Sequence, residues 1–433
     1  MKKLTVLMLA AAAMGALACS GNNVKYDVTG ANAPEEGAKV YLVDQITSEP
    51  IDSAVVDYHS EEFRPMLGDD IEAYTPQGVF PDWEQAQLVL FGVKEDRASV
   101  DGQGCAEAPD YIRHYLYRLA KPHDELRLVD LGNIAAGVTT RDTYFAVIEA
   151  LQHILDAGTT VLVLGGSDDL VFPIYKAYEV LGRVINICSV DSRFNLEGGD
   201  TINNNNYLQH IILQQPNYLF DYINLGYQTY FVGSEMIQLM EQLKFSTHRL
   251  GELQSNLELA EPMVRYSDVV AVDVSAVRHS DAPAAPDPSP HGFYGEQLCQ
   301  IARYTGMSDK TSCFALFNML PTRDRDGQTA HMLAHAAWFF IEGFCYRQND
   351  FPSRDKQAYK RFTVELSESG TEIVFYKSLK SDRWWMEVPC SDTERRERYL
   401  RHTLIPCSYA DYQRAMENEI PELWWHYYNR LNN

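Results

Sequence analysis

Val161-Leu162-Val163-Leu164-Gly165-Gly166-Ser167-Asp168-Asp169 runs a short, unbroken apolar stretch into a double-glycine turn and then into acids. Continuous rather than alternating hydrophobicity over four to eight residues marks a strand buried on both faces, as in a parallel sheet covered by helices. Two further stretches repeat the theme: Ile185-Asn186-Ile187-Cys188-Ser189-Val190-Asp191-Ser192-Arg193-Phe194-Asn195 and Val269-Val270-Ala271-Val272-Asp273-Val274-Ser275. Working outward, apolar runs recur at Gln87 to Val93, Leu126 to Leu131, Val184 to Val190 and Cys313 to Leu320. Between several of them, Tyr111 to Leu119 and Thr143 to Ala157 carry apolar residues at helical spacing. The chain from about Asp57 to its C-terminus is therefore expected to be an α/β domain of three layers, a mainly parallel sheet with helices on both faces. The last hundred residues, with Trp338, Trp384, Trp385, Trp424 and Trp425 and few strand signals, are expected as helices over the sheet plus one hairpin near Phe362 to Ser378.

Ligands of open parallel sheets bind beyond the carboxyl ends of the strands. Asp168, Asp191 and Asp273 each sit in such a strand-end turn. Three carboxylates at one rim point to a cation, either a metal or a cationic side chain or substrate; the plainer alternative is that each caps a turn. Three other features carry weaker signals. His331 and His335 are four apart on an expected helix, but Met332 stands where a metalloprotease motif needs its Glu, so packing is the reading. Cys105, in a glycine-rich turn without an evident His partner, reads as structural. Lys377, Lys380 and Arg383 beside the tryptophan pair read as a solvated turn, with capture of a carboxylate as the alternative.

At the three turns the sequence resembles the ureohydrolases, the arginase and formimidoylglutamase type. That family carries Gly-Gly-Asp-His, Asp-Ala-His-x-Asp and Ser-x-Asp-x-Asp after three successive strand ends. The resemblance extends over roughly residues 57 to 430, through Phe91-Gly92-Val93-Lys94-Glu95-Asp96-Arg97, Ala108-Pro109-Asp110-Tyr111-Ile112-Arg113 and His291-Gly292-Phe293-Tyr294-Gly295-Glu296, and looks closest to formimidoylglutamase-like proteins of the Bacteroidetes type. It implies two manganese ions sharing a hydroxide that attacks a guanidine, amidine or formimidoyl carbon, with Asp191 and Glu296 as catalytic residues and Glu296 orienting the substrate's cationic nitrogen. It also implies a homo-oligomer and a small amidine or guanidine as partner. This chain keeps Asp191 and Asp273, but has Asp168 and Arg193 at the two histidine positions and Asn195 and Ser275 at two aspartate positions.

Those substitutions decide what the site can hold. Two divalent ions about 4 Å apart repel strongly and need several carboxylates between them. Asp168, Asp191 and Asp273 bring three negative charges, Arg193 subtracts one, and both imidazoles are gone. The expectation is at most one weakly held divalent ion, with Arg193 placing its guanidinium among the carboxylates as a substitute cation. The function expected is that of a relative of linear-amidine hydrolases with lost or weakened dinuclear manganese chemistry, the alternative being a non-catalytic binding or scaffolding protein.

With 433 residues, 45% hydrophobic and 22% charged, the chain is long enough for a large core, and its net charge of -23 argues against nucleic acid. Lys2 and Lys3, the apolar run Leu4 to Ala18 and the small residues after it have the form of an export signal, too short to span a bilayer. Ala16-Leu17-Ala18-Cys19-Ser20 resembles a lipobox, so residues 1–19 are expected as a lipoprotein-type signal with Cys19 acylated. Residues 20–56 then form a tether and a β-hairpin leader, Lys39 to Val43 and Asp52 to Val56 around Thr47-Ser48-Glu49-Pro50, similar to the opening of lipoproteins bearing a thiol-disulfide oxidoreductase domain. This places the protein at a membrane through its lipid or in the periplasm. The seven scattered cysteines after Cys19, with no CxxC pair, instead suit a reducing compartment, and a cytoplasmic location follows if the leader is a fusion or a gene-model artefact.

Overall fold

The computed structural model describes residues 46–52, 55, 65–100, 103–352, 358–367 and 370–432. The signal, Cys19 and the first expected leader strand at Lys39 to Val43 lie outside these residues. Nine strands make the main sheet: β1 (Glu72–Ala73), β2 (Leu88–Val93), β3 (Leu128–Ile134), β4 (Thr160–Leu164), β5 (Ile185–Val190), β6 (Leu219–Tyr227), β7 (Ser246–Arg249), β8 (Val269–Asp273) and β9 (Cys313–Phe317). Their order is β1-β3-β2-β4-β9-β8-β5-β6-β7, and every pairing is parallel.

The two faces divide the strand residues by parity. Leu88, Leu90, Leu162, Leu164, Val270 and Val272 enter one core; Val89, Phe91, Val161, Val163, Val269 and Ala271 enter the other. Burying each such side chain stabilises by about 1.5–3 kcal/mol, so both faces must be covered. The first core is closed by α1 (Ala108–Leu116), α5 (Gly295–Gly306) and α6 (Gln328–Cys345); the second by α2 (Thr140–Asp156), α3 (Val171–Val180) and α4 (Ser234–Gln242), taking helices of eight residues or more. The entry of α2 is set by Thr139, whose hydroxyl accepts from the Asp142 N–H while the Asp142 carboxylate accepts from the Thr139 N–H. The expected three-layer α/β architecture is what forms.

Several expected boundaries move. β6 escaped the sequence reading because Asp221 and Asn224 interrupt its apolar run, yet both are fully buried. In the C-terminal part the expected hairpin forms as β10 (Tyr359–Glu365) and β11 (Glu372–Ser378), but β12 (Trp384–Glu387) and β13 (Leu404–Cys407) extend it to a four-stranded antiparallel sheet where helices were expected. Beyond α6, which carries Trp338, only α7 (Tyr409–Met416) and α8 (Glu422–Asn432) are substantial helices there among the described residues. Strands of four residues give no readable periodicity, and packing decides them: Met386 and Ile405 join the core shared with α5 and α6.

Thr47 to Pro50, expected as a hairpin turn, instead runs beside the end of β3. Glu49 and Asn133 exchange backbone hydrogen bonds of 2.6 and 2.8 Å, and Ile51 is fully buried. Gly132, at φ +80°, leaves the room: a Cβ there would lie 2.1 Å from the Glu49 carbonyl oxygen. Among the described residues no helix is long and apolar enough to cross a membrane.

Candidate metal centre at the strand ends

β4, β5 and β8 deliver Asp168, Asp191 and Asp273 to one rim, as expected. After β4 the chain turns against the Glu95 carbonyl, so closely that a Cβ on Gly166 would lie 1.9 Å from that oxygen; only glycine permits the turn that points Asp168 inward. One carboxylate oxygen from each aspartate lies within 4.8 Å of the others, the single such group of three acids, histidines or cysteines among the described residues.

The space between them is bridged by two side-chain amides. Asn195 Nδ2 donates to Asp168 Oδ2 at 3.1 Å and to Asp191 Oδ2 at 2.7 Å. Asn318 Nδ2 donates to Asp168 Oδ1 at 2.9 Å and to Asp273 Oδ2 at 3.0 Å, while its Oδ1 accepts from the Asp168 N–H. The remaining oxygens are capped by the chain: the Arg193 N–H donates to Asp191 Oδ1 at 2.8 Å, and the Ser275 N–H to Asp273 Oδ1 at 2.7 Å. Every oxygen of the three carboxylates thus has a protein donor. Both asparagines sit at positive φ, 53° and 67°, a region asparagine tolerates better than most residues. Asn318 was missed in the sequence because the run Cys313 to Leu320 reads through it; the signal available was a lone amide interrupting an apolar stretch at a strand end.

Neutral donors do not cancel charge. Burial, followed by the charges of Asp273 and Asp191, pushes the Asp168 carboxyl well above its usual range. Burial and Asp273 push Asp191 up to about 8. Asp273 is raised by burial, held back by its bonds from Ser275 and Asn318.

Arg193 does not do what was expected of it. Its guanidinium pairs with Asp287 at 2.6 Å and lies 4.4 Å from the Phe231 ring centroid, so no ion pair with Asp191 or Asp273 forms, although its field still favours their charged forms. The counter-acid is 94 residues away, in a loop rich in Ala and Pro, beyond any local sequence reading. That loop, Asp281 to Pro290, is pinned a second time by Arg323 Nη1, which donates to the carbonyls of Ala285 and Pro286, and Ala282, Ala284 and Ala285 are fully buried in it.

Glu296 is exposed in the first turn of α5 and lines a cavity of about 770 Å³ with Arg278, His331 and His335; none of the three aspartates lines it. The two histidines lie on α6 with ring centroids 4.5 Å apart, His331 stacked on Tyr115 at 4.7 Å, and among the described residues no acid or thiol completes a three-ligand set with them. Cys105 is fully buried, and burial with the charge of Asp96 raises its thiol far above the usual range, which removes it as a nucleophile. Lys377 pairs with Asp382, Lys380 donates to the Gln348 carbonyl and Arg383 to the Met307 carbonyl, so this cluster closes a turn.

A manganese pair does not fit these residues as they stand. The site offers three carboxylates and no imidazole, and two N–H-bearing amides occupy the positions between carboxylates where cations would lie.

The sequence profile of the arginase family matches residues 86–341. The formimidoylglutamase of Macrococcus caseolyticus is 21% identical over 268 residues, 60% of this chain and 85% of that protein. The solved formimidoylglutamase of Bacillus subtilis superposes with a TM-score of 0.59 at 17% identity, over 67% of this chain and 96% of that one. The Trypanosoma cruzi formiminoglutamase, solved with manganese, gives 0.59 at 16%, over 66% and 99%. With that profile matching more than half of its length, the chain belongs to the arginase family.

Proposed function

We propose that this arginase-family protein has lost dinuclear manganese hydrolysis and acts as a binding or scaffolding protein built on the ureohydrolase fold. One observation carries the reading: all the oxygens of Asp168, Asp191 and Asp273 are taken by donors of the protein itself, two of them bridging amides. A metal would have to displace both amides and gain no histidine in return.

A second reading keeps catalysis. Asp168, Asp191 and Asp273 hold one divalent ion, Asp191 takes part in the chemistry, and Glu296 positions a linear amidine or guanidine. The 4.8 Å grouping of the carboxylates favours it; the position of Glu296 on a different cavity does not. Incubation with manganese, metal stoichiometry and release of urea, ammonia or formamide from arginine, agmatine, guanidinobutyrate and formimidoylglutamate separate the two. Two ions per chain with turnover defeat the first reading; no ion and no turnover defeat the second. The exported, Cys19-acylated leader, the division at residue 57 and the homo-oligomer belong to the same proposal. Mass spectrometry of the mature N-terminus and light scattering test them.

A further inference from the structure

A second cavity, of about 500 Å³, opens on the face covered by α2 and α3, between their first turns and the chain at 97–98 and 200–202. It shares no lining residue with the aspartate site, and its size falls in the range of small-molecule sites, roughly 300–1,000 Å³. Its floor is apolar, built from Phe145, Ile148, Phe172 and Ile202. Phe145 is 55% exposed, and apolar surface left open in a concavity marks a binding site more often than a plain surface.

Arg97, Arg141 and Lys176 stand around this floor. Two of these cations are already engaged. Arg97 Nε donates to Glu95 at 2.9 Å, and Lys176 pairs with Glu179 and donates to Gln214 at 3.2 Å. Arg141 differs: it makes no hydrogen bond or ion pair with a described residue, and its guanidinium carbon lies 5.3 Å from the Phe145 ring centroid. It also occupies the first turn of α2, where the helix dipole opposes a cation by about 0.3–1 kcal/mol. Asp142 beside it on the helix and Asp200 in the cavity wall supply counter-charge from nearby, but neither holds the Arg141 guanidinium in an ion pair, so a cation at an unfavourable place beside an open aromatic ring is left for a ligand's anion to engage directly.

We propose that this cavity binds a small monocarboxylate with an apolar or aromatic body, the carboxylate on Arg141 and the body on Phe145, Ile148 and Phe172. A planar guanidinium suits a carboxylate in two-point contact, and the ring beneath it holds the fork in place. The pairing favours an acid over an amine at Arg141, where an amine on the same body meets a like charge; Asp200 is the single acid in the cavity lining.

Calorimetric titration of the full chain with phenylacetate, benzyl alcohol, phenethylamine and inorganic phosphate tests this. Saturable phenylacetate binding is expected, with the alcohol and amine at least about 10-fold weaker, and phosphate, which lacks the body, weaker as well. Arg141→Gln should weaken phenylacetate about 10-fold or more, and Phe145→Ala several-fold. Both side chains are exposed, and unchanged circular dichroism and melting of the variants show that the fold is intact. The proposal is overturned if phenylacetate shows no saturation by about 10 mM, if the alcohol binds as well as the acid, or if Arg141→Gln has no effect. Because the two sites share no residue, such a failure leaves the reading of the aspartate site standing, and the loss of that reading leaves this one.

Discussion

The two ends of β8 and β9 bury charge in opposite ways. At their amino ends, Asp268 precedes β8 and Lys310 lies just before β9. The Lys310 ammonium is 3.5 Å from Asp268 Oδ2, the Arg401 guanidinium 3.4 Å from Asp268 Oδ1, and the Asn186 N–H donates to the same carboxylate. One acid there faces two cations. At the carboxyl ends, Asp273 closes β8 and Asn318 follows β9, and three acids face no cation closer than a neutral amide. The first arrangement is complete as a structural ion pair. The second has three acids grouped as in a cation cage, with neutral amides bridging them, the arrangement on which the proposed loss of manganese chemistry rests.

The contrast is broken most strongly by moving one negative charge at each end. Asn318→Asp sets a carboxylate against Asp168 and Asp273, and a loss of about 3–5 kcal/mol in urea unfolding is expected, partly recovered by added manganese. Asp268→Asn should cost a similar amount by leaving Lys310 and Arg401 without their acid, with no recovery by metal. If Asn318→Asp is as stable as the parent without metal, the amide is not standing in for a cation.

A smaller effect follows from Lys310, whose pKa burial lowers from 10.5 to about 8. Between those values the unfolded chain holds a proton that the folded chain lacks, so stability should rise as pH goes from about 8 to about 10.5 and stay level below that window. Lys310→Met should flatten this rise, read as urea midpoints against pH. The smallest effect is expected from Arg193→Ala. Its ion pair with Asp287 is largely solvated and its contact with Phe231 modest, so about 1 kcal/mol is lost. Amide exchange should quicken in residues 284–288 and stay unchanged in β8.

How much of this the sequence held depends on the range of the interaction. Asp168, Asp191 and Asp273 were legible because each ends a continuous apolar run, and in a parallel sheet such ends share one rim. The helices over both faces were legible for the same reason, since buried strands demand cover. Arg193 was misread because it lies two residues from Asp191 at the rim where the three acids meet, whereas its partner arrives from a distant loop that reads as an ordinary connection. Asn318 was hidden by the run around it. β12 and β13 are too short to show a period, and only the pairing of β12 with β11 and of β13 with β12 makes them strands.

The most direct test of the account is anomalous diffraction from crystals grown or soaked in manganese. The expected map has no peak between Asp168, Asp191 and Asp273, with the Asn195 and Asn318 amides still bridging them. Two well-occupied manganese peaks there, with the amides turned away, would contradict it.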